Sequence, residues 1–173
     1  ATFSVVHAVL WRSLPYPDAG RIVVIEADTR ALPTAYSPSG VGFDVRAQSR
    51  LITSIGQVAG RDASLMLDGV MERVAAARVT DELLPLLGAT PLALGRTIIT
   101  SEDSDDIIVK GIVIGHELWQ RRFHGEPHVI GRRLTVNNME VQVVGVMRPG
   151  FRSVLPAANH VEERVDVWLP RDF

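Results

Sequence analysis

Three histidines, His116, His124 and His128, lie close together in the sequence, and a His-x3-His pair on one helical face could bind zinc. Gly125 and Pro127 fall between the second and third, however, and break the helix that would give them a shared face. Exposed loop histidines are the simpler reading. The run Glu102, Asp103, Asp105, Asp106 could attract calcium, but it lacks the glycine and the distal glutamate of an EF-hand loop and reads as a solvated acidic loop. Ser39 and Ser153 are potential nucleophiles without a G-x-S-x-G elbow around either. The Gly111–Gly115 spacing lacks the Lys-Ser/Thr of a phosphate-binding loop. Arg121-Arg122 and Arg132-Arg133 could meet anionic headgroups or an acidic partner, against the plainer reading of a solvated face. No catalytic, cofactor-binding or metal-ligating residue is assigned, no cofactor is expected, and the chain reads as a non-enzyme.

Composition agrees with that reading. The chain has 173 residues, 46% hydrophobic and 22% charged, which suits one domain or two small lobes with a shared interface. A net charge of −2, from 18 basic and 20 acidic residues, supplies no positive field for nucleic acid. Without cysteine there is no disulfide framework, thiolate cluster or cysteine nucleophile, and the compartment is left open.

The elements that would position these groups alternate along the chain. Ala1 to Trp11 is apolar and lacks the features of a signal peptide. As a helix it rises about 16 Å, half of the ~30 Å hydrocarbon core. It reads as the last turns of a spanning helix, with Trp11, Arg12 and Tyr16 at the interface and Pro15 and Pro17 ending it; an amphipathic helix docked on the domain is the alternative. Residues 21–27, RIVVIEA, suit a buried, central strand. A loop follows over 28–40, and the apolar spacing from Val41 predicts an amphipathic helix over about 40–56.

Asp68-Gly69 predicts a hairpin between Ala63–Leu67 and Val70–Val79. Thr80 reads as the N-cap of a two-turn helix ended by Gly88 and Pro91. Residues 107–114 return to strand composition, and HELWQRRF, 116–123, predicts a short helix with Trp119 and Phe123 in the core. Asn137-Asn138 predicts a second hairpin between 133–136 and 139–147, and 165–169 a last strand with Trp168 buried.

Taken in order, several fragments carry a resemblance: Phe3-Ser4-Val5-Val6 with Leu14-Pro15-Tyr16-Pro17; Ser37-Pro38 with Phe43 and Arg46; Val79-Thr80 with Leu86-Leu87-Gly88, Pro91 and Gly95-Arg96-Thr97. Leu118 to Phe123, Val129-Ile130-Gly131-Arg132, Val143 to Met147 with Pro149-Gly150-Phe151, and Val167-Trp168-Leu169-Pro170 continue it. The chain resembles the MacB-like periplasmic core domain of ABC transporter permeases of the FtsX-like type.

The resemblance implies an α+β fold: a βαβ porter-like lobe followed by a mixed β-rich lobe with short helices and hairpins. It places the end of the first transmembrane helix and the membrane exit at 1–17, the first βαβ part of the porter-like lobe at 18–79, and the inserted mixed lobe at 80–173. The returning part of the porter-like lobe would be missing, leaving an unpaired strand edge.

The implied role is non-catalytic: an extracytoplasmic domain, on the periplasmic side of the inner membrane, that transmits conformational change and contacts partners during efflux. Implied partners are the rest of the permease, its ATP-binding subunit or domain, a second copy or paired half, and an adaptor protein, but no nucleic acid. A free-standing soluble interaction module derived from such a permease is the alternative. His7, where the family usually has Asn, and Gly115, where Ser is common, depart from the pattern and bear on helix capping.

Overall fold

Two tight turns organise the sheet. The computed structural model describes residues 15–25, 49–90, 92–98, 110–155 and 160–171. Asp68 (φ 51°) and Gly69 (φ 79°) form a left-handed pair of the kind a two-residue hairpin needs, joining β1 (Val58–Leu67) to β2 (Val70–Val79) over ten ladder pairs. Asn137 (φ 48°) and Asn138 (φ 64°) do the same between β5 (Arg133–Val136) and β6 (Met139–Val146). Asparagine tolerates this region because its short polar side chain bonds locally.

The remaining strands are β3 (Leu94–Gly95), β4 (Lys110–Ile114) and β7 (Val167–Pro170). All seven lie in one sheet ordered β3-β6-β4-β7-β2-β1-β5, and β5 also pairs with β6. Six strands, all but β3, therefore close on themselves as a barrel. Two of its seams are parallel, β4 with β6 and β2 with β7. The β1–β5 seam has two ladder pairs, Leu65↔Val136 and Met66↔Thr135, as few as the β4–β7 seam. It is extended by Asn137, whose N–H donates to the Ser64 carbonyl at 2.9 Å while its Oδ1 accepts the Ser64 N–H at 2.9 Å.

Side-chain alternation divides the interior in two. Ala76, Val167 and Ile114 sit side by side on β2, β7 and β4 and face into the barrel with Leu65, Leu134, Val141 and Val143. Their sequence neighbours Ala77, Trp168 and Val113 face outward and form a second, outer core. Strand β6 serves both through a bulge at Val143-Val144: Val143 and Val146 point into the barrel and Val144 points outward.

Two short helices cover these surfaces. Helix α1 (Leu83–Leu86) lays Leu83, Leu84 and, just past its end, Leu87 on the outer core. Helix α2 (His116–Phe123) directly follows β4 and buries Leu118 and Phe123 in the barrel core, so it crosses the end of the barrel. The fold is α+β and strand-rich, with few and short helices.

Several expectations change. Residues 22–25 are not a buried strand: Val23 is 80% and Ile25 53% exposed, and no strand pairs with them among the described residues. A β-branched run favours extended backbone but cannot supply the neighbour that buries it. Residues 49–56, the end of the expected helix, are non-helical, with Leu51 93% exposed; Ile52, Thr53, Ile55 and Gly56 are poor helix formers. Residues 26–48, with the rest of that strand and helix, lie outside the described residues, as do 1–14 and the acidic loop at 101–106.

Thr80 does not cap α1. Its Oγ1 accepts the Gln57 N–H at 3.0 Å, the N-cap position falls to Glu82 without a side-chain bond, and α1 is one turn long. Gly88 (φ 66°) ends it, and the Ala89 N–H returns to the Leu84 carbonyl. Trp119 is half-buried at the rim of the barrel, not enclosed in it, and its Nε1 donates to the Glu126 carbonyl at 3.0 Å. Strand β2, which ends at Val79, pairs with β7 on one side and β1 on the other.

Candidate functional site

The groups singled out for chemistry are not brought together. His116 opens α2 and meets the Trp119 ring edge-on at 5.5 Å, His124 takes the left-handed position that ends the helix, and His128 sits in a 3-10 turn. Among the described residues no group of three His, Cys, Asp or Glu side chains could hold a metal ion. Ser39 and the acids at 102, 103, 105 and 106 lie outside the described residues.

The glycines of the 111–115 stretch serve packing. A side chain at Gly111 would press on Val144, and one at Gly115 would meet the Val165 carbonyl oxygen at 2.5 Å. Gly115 is thus the helix N-cap because the chain passes too close for anything larger, and α2 starts with no side-chain cap.

The arginine pairs do not form a common basic patch. Glu72 takes both Arg121 (2.9 Å) and Arg122 (3.1 Å), Arg132 pairs with Asp68 (3.1 Å) and Arg133 with Glu140 (2.8 Å). These pairs are solvated, so each contributes little to stability, and each of the four arginines has a carboxylate beside it. Two open, shallow concavities lie on the barrel wall, one beside Met66, Asp68 and Thr135, the other beside Gly95, Ile130 and Val144.

What the structure does bring together are joints between elements. Asp166, at the start of β7, donates its N–H to the Ala75 carbonyl and accepts the Ala75 N–H on Oδ2 at 3.2 Å; its carbonyl accepts the Gly115 N–H at 2.8 Å. One residue so ties β7 to β2 and to the start of α2. Its carboxylate also stands 3.8 Å from Arg121. Nothing in the sequence marks Asp166 for this role, because both partners are far away along the chain.

Tyr16 is the second joint. Read from sequence as an interfacial aromatic, it is instead 7% exposed and belongs to the outer core. Its phenol oxygen accepts the Val154 N–H at 2.6 Å, and burial pushes its pKa up, so it stays neutral. The buried Ser153 hydroxyl approaches the phenol but makes no hydrogen bond of acceptable geometry. Next to it, the ring of Pro17 packs so closely on Gly88 that a side chain there would collide with it. The flanking prolines were the legible signal, read as a helix stop rather than as an anchor.

The arrangement offers packed cores and joints, without a nucleophile, base or ligand set assembled among the described residues. A family-wide sequence profile described as the MacB-like periplasmic core domain matches residues 1–172. No curated protein matches the chain in sequence. Among solved structures, the chain is similar to the periplasmic region of MacB from Actinobacillus actinomycetemcomitans, with a TM-score of 0.54 and 15% identity over 74% of this chain and 52% of that one. It is also similar to the extracellular domain of the ABC-type transporter YknZ from Gram-positive bacteria, with a TM-score of 0.52 and 12% identity over 83% of this chain and 66% of that one. At such identities the likeness is one of fold, and the chain spans about half to two thirds of those domains. The match over nearly its whole length settles the family: the chain belongs to the MacB-like periplasmic core domains.

Proposed function

We propose that the chain is the extracytoplasmic domain of an ABC transporter permease and works mechanically, without chemistry of its own. Nucleotide-driven movement of the membrane helices displaces the domain, and the domain passes that displacement to a second copy, a paired half or an adaptor. In this reading residues 1–17 carry the exit from the first membrane helix. The porter-like lobe draws on the part of 18–79 that precedes the barrel, and the protein resides in the cell membrane with this domain outside the cytoplasm. Among the described residues no helix is long and apolar enough to cross a membrane, so the membrane attachment is assigned to sequence beyond them.

The observation that carries the reading is the closed barrel. Its strands have partners on both sides, and its interior is filled by Leu65, Ile112, Ile114, Val143 and Val167, each fully buried. Such a body transmits force with little internal deformation, because packed interiors have low compressibility.

The chain has no cysteine of its own, so a disulfide introduced here has no competitor within the domain once cysteines elsewhere in the permease are replaced. Met66 and Thr135 are direct partners across the β1–β5 seam, at a separation suited to a disulfide. In the full permease with its ATPase, Met66→Cys/Thr135→Cys locks the seam when oxidised. ATP turnover should then match that of the reduced protein; arrest on oxidation, reversed by reductant, would show that the barrel must deform.

A further inference from the structure

The outer core is built differently from the barrel. It contains Ala77, Val79, Val113 and Trp168 from the barrel's outer face, but its cover comes from α1, from residues 147–155 and 160–165, and from the stretch around Tyr16. This cover is held to the wall by side-chain packing and scattered hydrogen bonds, not by a ladder. Residues 16–22 enter only this core: Tyr16 is buried in it and Ile22 packs against its edge.

Between those two anchors the chain reverses sharply, with Asp18 in the left-handed region (φ 52°) and a 3-10 turn over Ala19–Arg21. Tyr16 touches the 153–155 segment through its hydrogen bond, and Pro17 touches the turn that ends α1 through Gly88. The 148–155 segment in turn leans on the wall where Phe151 meets Trp168 edge-on at 6.0 Å, while Arg148 stands over Phe151 at 5.7 Å.

We propose that the Tyr16-Pro17 pair is a latch. It seats the incoming chain on the outer core, so a pull on that chain releases the cover of α1 and 148–155 while the barrel stays closed. The inference rests on the mechanical reading above and specifies where motion enters the domain. Among the described residues Tyr16 is the first that is buried, so a pull along the chain from the side of the apolar segment at 1–11 bears on it. Elements that move in coupling are drawn from the less stable parts of a fold, and the outer core is that part here.

The test is amide hydrogen exchange of the chain, read residue by residue by NMR. Tyr16→Phe keeps the ring and removes only the acceptor for the Val154 N–H. Exchange at Val154 should rise about five- to tenfold, the loss of one typical hydrogen bond, with Ile112 and Val143 in the barrel unchanged. Tyr16→Ala should extend the increase to Ala89 and Ser153, again sparing the barrel. Unchanged exchange at Val154 in Tyr16→Phe, or an increase in the barrel amides matching that at Val154, would overturn the latch. Either failure leaves the seam-locking test untouched, because that test does not involve Tyr16.

Discussion

At the scale of single residues, the positions that matter join distant parts of the chain. Asp166 makes three main-chain hydrogen bonds, two with its own backbone and one with its carboxylate, to Ala75 and Gly115. Replacing it by Ala leaves the Ala75 N–H without its carboxylate acceptor, and we expect a loss of about 1–3 kcal/mol in urea unfolding. Asp166→Asn keeps an acceptor oxygen and should lose less. A neutral Asp166→Ala would mean that the backbone pairs alone set the joint. Such roles are poorly legible from sequence, because a hub is defined by where its partners fold. The histidines were the reverse case. Gly125 and Pro127 forbid their common face, and the structure places them at the start, the end and beyond one short helix.

At the scale of elements, legibility follows range. Both hairpins were readable because Asp68-Gly69 and Asn137-Asn138 specify the turn locally, and α2 was readable from its own spacing and from Gly125. The capping role of Thr80 is not legible, because its hydroxyl bonds to Gln57, 23 positions back. Residues 22–25 have the composition of a buried strand but are largely exposed. The parallel placement of β7 beside β2 could not be read locally at all, yet it decides which tryptophan is structural. Trp168 is 1% exposed, with the small Ala77 and Val113 beside it on the outer face, whereas Trp119 is half-buried at the rim. Trp168→Ala should therefore cost about 3–5 kcal/mol, as enclosed aromatic truncations do. Trp119→Ala should cost clearly less, and equal losses in chemical denaturation would contradict this division.

At the scale of the whole molecule, a closed barrel with a separately built outer core gives two mechanical grades in one chain. The barrel interior is aliphatic and strand-enclosed, while the outer core is covered by loops, one helical turn and the segment that enters at Tyr16. The family identity was legible because short fragments recur in fixed order along most of the sequence. The barrel was not, because closure depends on two ladder pairs and one asparagine between β1 and β5. The central claim is that the barrel of the domain moves as a stiff body when the transporter cycles. The direct measurement is pulsed electron–electron distance spectroscopy on the full permease with its ATPase, with spin labels at Arg61→Cys and Arg133→Cys, two exposed positions on the barrel strands β1 and β5, and any cysteine outside this chain replaced. The distance between the two labels within one domain should stay constant between nucleotide-free and ATP-trapped states, while single labels in neighbouring domains change their separation. A nucleotide-dependent change within one domain, with neighbouring domains keeping a fixed separation, would contradict the account.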